Sequence, residues 1–137
     1  MPETSLPVEH VFTITANTSL NASIDGPGGT RIIIDASSGT FEGPKLKGTV
    51  KGPGGDWVIM RPNGTLVLDV RLLLETDDGA AIYMTYHGVG KDMGAWIRTA
   101  PAFETGDERY AWLNDIQAVS TGASDGSSVT YEVYQLL

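Results

Sequence analysis

Asp69 and Arg71 stand two residues apart in a run, Thr65 to Glu75, whose alternate positions Leu66, Leu68, Val70, Leu72 and Leu74 are all apolar. In an extended chain, residues two apart point the same way, so the acid and the guanidinium share one face and the aliphatic row takes the other. An Asp and an Arg held side by side can orient a substrate carboxylate, carbonyl or phenol. Tyr83 lies in the next alternating run, Ala81 to His87, and falls near that face if the two runs pair in simple register. A Tyr beside an Arg can donate to a developing oxyanion while a carboxylate moves a proton. Asp69, Arg71 and Tyr83 are therefore the candidate catalytic group, suited to enolisation, cyclisation or water addition without a cofactor. Two considerations oppose this: an Asp paired to Arg is a weak base, and a salt bridge on a solvated face needs no ligand.

Trp57, Trp96 and Trp112, with Tyr83, Tyr86, Tyr110, Tyr131 and Tyr134, supply more amphipathic aromatic surface than an aliphatic core needs. They suit either a pocket for a planar organic molecule or packing at barrel ends. Asn114, after Tyr110-Ala-Trp-Leu113, fits a turn cap or a ligand contact. His10 and His87 are too few and too far apart to suggest a metal site, so no metal is expected. The chain contains no Cys, which excludes disulfides, thiolate metal sites and cysteine nucleophiles together. The two Gly-Pro-Gly-Gly runs lack the Lys-Ser/Thr of a phosphate loop, and no Ser sits in a nucleophile-elbow setting.

The elements that must carry these residues are strands. Val8, His10, Phe12 and Ile14 alternate with other residues, and the polar stretch Asn17 to Ser23 is expected to close that first strand. Asp25 to Gly29 reads as a turn before Ile32-Ile-Ile34, and Ser37-Ser-Gly39 as another turn. Thr40 to Lys51 reads as a bent strand or strand pair, and Trp57 to Arg61 as a strand leading into a tight hairpin at Pro62-Asn-Gly64. A short helical turn is expected in Glu104 to Arg109, then strands at Tyr110 to Asn114, Ile116 to Thr121 and Val129 to Leu136.

With no helical period sustained over three turns, the chain is expected to be all-β, a small antiparallel β-barrel of about 8–10 strands. Closure would leave no exposed edge. The 137 residues, with seventeen Gly and seven Pro, fit one turn-rich domain over residues 1–137. A net charge of −8 disfavours nucleic acid, whose binding depends on basic side chains. No apolar run is long enough to span a bilayer, and the N-terminus lacks a secretion signal, so a cytoplasmic location without membrane partners is expected.

In order along the chain, Gly26-Pro-Gly-Gly-Thr-Arg31, Gly43-Pro-Lys-Leu-Lys-Gly48, Gly55-Asp-Trp57, Arg61-Pro-Asn-Gly-Thr65, Leu68-Asp-Val-Arg71, Thr76-Asp-Asp-Gly79, Phe103-Glu-Thr-Gly106 and Tyr110-Ala-Trp-Leu-Asn114 resemble the domain of unknown function 3237, also called uncharacterised protein family 0311. The resemblance implies a small antiparallel barrel similar to allene oxide cyclase and dirigent proteins, with a pocket inside it. Fold similarity alone transfers no reaction. Motif membership and strand parity add Arg31, Asp56, Trp57, Arg98, Trp112 and Asn114 as substrate-binding candidates. The leading expectation is a cofactor-independent enzyme for cyclisation, isomerisation or addition and elimination on a small carbonyl, aromatic or polyketide-like compound. A ligand-binding barrel without catalysis and a structural domain that forms homo-oligomers through a strand face are the alternatives. The leucine row can fill either the lumen or such an interface.

Overall fold

The computed structural model describes residues 2–137, and its framework is a single antiparallel sheet of ten strands. These are β1 (Val8–Gly26), β2 (Gly29–Glu42), β3 (Lys47–Val50), β4 (Gly55–Met60), β5 (Leu66–Thr76), β6 (Ala81–Lys91), β7 (Trp96–Thr99), β8 (Ala102–Glu104), β9 (Ala118–Ser124) and β10 (Ser128–Leu136). Hydrogen bonding runs β5-β4-β2-β1-β10-β9-β7-β6, and β6 returns to β5, so the sheet closes on itself. The short β3 occupies the same gap between β2 and β5 as β4, further along both strands. Closure satisfies the backbone groups that an open sheet would leave at its edges. No helix among the described residues is long and apolar enough to cross a membrane.

The two-residue alternation decides which face is inside. Leu68, Val70, Leu72 and Leu74 are buried, and their β6 partners Tyr86, Met84 and Ile82 are buried with them. The aliphatic row of β5 therefore fills the lumen. The hairpin expected at Pro62-Asn-Gly64 forms: the Arg61 N–H donates to the Thr65 carbonyl, and Gly64 takes a positive φ of 86°.

Inward side chains change size along the barrel axis. At one end Phe12 packs against Phe41 and Phe103, with ring centroids 5.2 and 5.8 Å apart, amid Leu72, Leu74, Ile82 and Leu113. Further along the same strands the inward positions become small: Ala16 on β1, Ala36 on β2, Gly88 and Gly90 on β6, Gly122 and Ser124 on β9. Large side chains plug one half of the barrel and small ones leave the other half hollow.

Three boundaries differ from the sequence expectation. β1 does not stop at the polar stretch but runs on to Gly26, pairing Leu20 with Ile34 and Ile24 with Arg31 in a long hairpin. Its polar residues occupy the solvated side and tip, where alternation is not required. Ser37-Ser-Gly39 lies within β2 rather than in a turn, pairing Gly39 with Ala16 on β1 so closely that a side chain at 39 would collide with Thr15 and Ala16. Glycine serves strand contact there, not chain reversal. Tyr110 to Asn114 is not a strand but belongs to a 3-10 segment, Glu108–Asp115, capped by Asp107, whose carboxylate accepts from the Arg109 N–H at 2.9 Å.

Candidate active site

The hollow half of the barrel encloses a cavity of about 200 Å³. Its walls are Ile32, Ile34, Val58, Met60, Leu66, Leu68, Val70, Ile97 and Val129, and its polar groups belong to Asp56, Tyr86, Tyr131, Thr18 and Ser124. Among the described residues, no Lys, Arg or His lines it, and Asp56 supplies its only ionisable charge at neutral pH.

Asp56 points inward because β4 alternates Asp56, Val58 and Met60 toward the lumen with Trp57 and Ile59 toward solvent. It pairs with the inward Val70. One carboxylate oxygen, Oδ1, accepts the backbone N–H of Asp69 at 3.1 Å. Oδ2 makes no hydrogen bond among the described residues. Burial pushes the Asp56 carboxyl up to about 6; the Asp69 N–H pulls it back, and the Asp69 carboxylate adds a smaller upward push. At neutral pH Asp56 is thus mostly ionised yet basic enough to take a proton from a ligand hydroxyl, and its acid form is strong enough to return it.

Tyr86 and Tyr131 flank Asp56, their rings meeting edge-on with centroids 5.1 Å apart at 70°. Burial raises both phenols above their ordinary range; the neighbouring Tyr131 hydroxyl and the Asp56 charge push Tyr86 further, and the Asp56 charge also raises Tyr131. Both stay protonated at neutral pH; with one hydroxyl directed to the other, the pair leaves one phenol free to donate to an oxygen that gains charge. The arrangement therefore combines one proton acceptor with a paired phenol donor inside an apolar chamber.

The sequence candidates fall in three places. Asp56 alone among them lines the cavity. Asp69, Arg71 and Tyr83 share one face as expected, but that face is the outer wall. Asp69 meets His87 at 3.3 Å, Arg71 lies 5.5 Å from the Trp57 ring centre, and Tyr83 is 39 % exposed. They point away because the opposite parity carries the buried aliphatic row. Arg31, whose guanidinium donates to the Trp57 carbonyl at 3.0 Å, and Trp57 belong to the same outer wall. So does Arg98, stacked 4.4 Å from the Trp96 ring centre. Trp112 and Asn114 lie in the 3-10 segment near the plugged half; Trp112 packs on the core beneath Lys45, and Asn114 bonds both backbone groups of Thr105, at 2.8 and 3.0 Å. The face the sequence left open is settled by the leucine row: Asp56, Tyr86 and Tyr131 furnish the lumen, and Asp69, Arg71 and Tyr83 face away from it.

Tyr86 and Tyr131 entered the sequence reading only as part of the aromatic complement. A usable signal was present: each shares the parity of buried apolar residues on its strand, Ile82 and Met84 for one, Val129 and Val133 for the other. Asp56 likewise sits in phase with Val58 and Met60. A polar group in phase with an apolar row must find a buried partner or face a cavity.

The family model for a protein of unknown function (DUF3237) matches residues 6–136. The UPF0311 protein RPA1785 of Rhodopseudomonas palustris is 33% identical, over 97% of this chain and 98% of its own. The crystal structure of RPA1785 superposes with a TM-score of 0.89 at 32% identity, covering 98% of this chain and 100% of that one. A beta-barrel like protein from Acinetobacter baumannii gives a TM-score of 0.87 at 29% identity, over 99% of each chain. The hydroalkoxylation enzyme phnH of Penicillium herquei is 34% identical over 85 residues, 62% of this chain and 52% of its own. The structure of an enzyme from Penicillium herquei superposes with a TM-score of 0.74 at 25% identity, over 100% of this chain and 98% of that one.

Proposed function

This chain belongs to the DUF3237 family, and from that premise we propose that it is an enzyme acting on a small organic molecule, adding a hydroxyl across an activated carbon–carbon double bond or catalysing the reverse elimination. The observation that carries the proposal is the Asp56 carboxylate, held up to about 6 in an apolar lumen beside the Tyr86–Tyr131 phenol pair. The similarity to a hydroalkoxylation enzyme supports the same reaction class.

In this reaction the ligand O–H gives its proton to Asp56 Oδ2 as oxygen bonds to the electrophilic carbon. The π electrons move toward the conjugated carbonyl, whose oxygen takes a hydrogen bond from Tyr86 or Tyr131. The proton held by Asp56 then passes to the neighbouring carbon, so acid and base are restored and no electrons are gained or lost. Ring closure is the intramolecular case.

The test uses an ortho-hydroxyphenyl propenyl ketone, which closes to a methylchromanone. The wild-type protein accelerates closure above the buffer rate, and Asp56→Asn lowers that acceleration by about 10²- to 10⁴-fold, the usual worth of a positioned acid–base group. Equal rates for wild type and Asp56→Asn overturn the catalytic reading and leave a binding barrel.

A further inference from the structure

Resting on that reading of Asp56, we infer the class of molecule the lumen accepts: an uncharged, planar compound of one or two fused rings that carries a hydroxyl, seated with the hydroxyl inward, its width limited at Gly90.

The charge on the walls sets the first requirement. With Asp56 ionised and no cationic side chain lining the cavity, a carboxylate or phosphate ligand would place a second negative charge in a medium of low dielectric. An ammonium would have to shed its water for one free carboxylate oxygen and two phenols, and buried ion pairs seldom recover that loss. A hydroxyl matches the floor group for group. It has one proton for Asp56 Oδ2 and an oxygen that accepts from a tyrosine. Above the floor the walls are aliphatic, with Met60 and Met93 toward the mouth, side chains that pack well against ring edges and faces. A cavity of about 200 Å³ exceeds the roughly 150 Å³ engineered void that holds benzene, and so leaves room for a second ring.

Gly90 sets the second requirement. Inward positions on β6 run Ile82, Met84, Tyr86, Gly88, Gly90. Gly88 has a structural reason to lack a side chain, since a β-carbon there would collide with the Arg98 carbonyl on β7. Gly90 has none of that kind: a β-carbon there would meet only side chains, Leu66 at 3.4 Å and Ile97 at 3.6 Å. Both of those side chains line the cavity. The backbone thus admits a larger residue at 90, and one bulkier than alanine would press Leu66 and Ile97, two walls of the cavity, toward the lumen.

Equilibrium binding of five named probes tests both parts: phenol, naphthalene, β-naphthol, β-naphthoate and β-naphthylmethylamine, measured calorimetrically on wild type, Gly90→Ala and Gly90→Val. The expected order has β-naphthol tightest and naphthalene weaker by about tenfold or more, the loss of a hydrogen bond to a charged group. Naphthoate and naphthylmethylamine also bind at least about tenfold more weakly than the naphthol. Gly90→Val weakens β-naphthol by about tenfold or more while phenol stays within about twofold, and Gly90→Ala gives a smaller loss. Retained phenol affinity also reports that the variants are folded. Binding of the naphthoate or the amine as tight as the naphthol overturns the ligand class. Equal effects of Gly90→Val on phenol and β-naphthol overturn the width limit. These readouts require no turnover: a naphthol preference without Asp56-dependent ring closure sinks the catalytic reading alone, and closure without that preference sinks only the ligand class.

Discussion

The ring of Tyr131 lies across Gly122, its cross-strand partner on β9, in space that a β-carbon at 122 would occupy. An alanine there would strike Cδ1 and Cε1 of the ring and crowd the Thr130 carbonyl at 2.9 Å. Gly122→Ala therefore displaces the tyrosine, at about 1–3 kcal/mol of stability, the range for overpacking a filled site. Thermal unfolding measures that cost. Tyr131→Leu in the Gly122→Ala background relieves the collision with the ring but not the close approach to the Thr130 carbonyl, so it restores part of the stability without restoring ring-closing activity. Unchanged activity in the double variant would show that the phenol is not used.

Asp56 makes stability depend on pH in an unusual direction. In the native barrel its carboxyl holds a proton up to about pH 6, whereas its ordinary value is 3.8. Between those values the native state binds more protons than the unfolded chain, so stability falls as pH rises through that window. The difference is on the order of 3 kcal/mol. Asp56→Asn keeps an oxygen for the Asp69 N–H and carries no charge, so it removes this slope and is the more stable protein at neutral pH. Urea unfolding of both proteins from pH 4 to pH 7 reads the effect; parallel curves would contradict it.

Ring closure by the wild-type protein rises as pH passes through about 6, where Asp56 becomes ionised. A rate profile over the range in which the ketone phenol remains protonated gives the midpoint. A profile flat through that region would remove Asp56 as the base.

Arg71→Ala and Tyr83→Phe leave ring closure and β-naphthol affinity within about twofold of wild type, because both side chains lie on the outer wall. Asn114→Ala, by contrast, frees both backbone groups of Thr105 near the plugged half and costs about 1–2 kcal/mol without changing affinity. Thermal melts and calorimetry on the three variants separate the two patterns.

The barrel and the β4–β5 hairpin are legible in the sequence because alternation over Leu66 to Leu74 and the Asn63-Gly64 turn are local signals. Which side of β5 faced inward was not legible from that strand alone, since Val67 and Leu73 give its outer face apolar members too. The partner strand settles it: Ile82, Met84 and Tyr86 form one parity, and Tyr83, Thr85 and His87 the other. Attention to the most polar face led outward to Asp69 and Arg71. The carboxylate that lines the cavity lies instead on the apolar parity of a short strand, where Asp56 is conspicuous only once its neighbours Val58 and Met60 are known to be inside. The 3-10 segment escaped because its hydrogen bonds to Thr105, Asp78 and Asp107 depend on which strands meet at that end.

The gradient of side-chain size along the barrel separates two kinds of evolutionary risk. Phe12, Phe41, Leu72, Leu74 and Ile82 each hold neighbours in place, so a change there is felt as unfolding. Around the cavity, walls such as Ile32, Met60 and Leu66 are already partly unpacked on the lumen side, and exchanging them alters what fits more than whether the chain folds. On this plan substitutions around the hollow half change ligand choice at less cost to folding than substitutions in the plugged half, and a laboratory library confined to the hollow half uses that freedom.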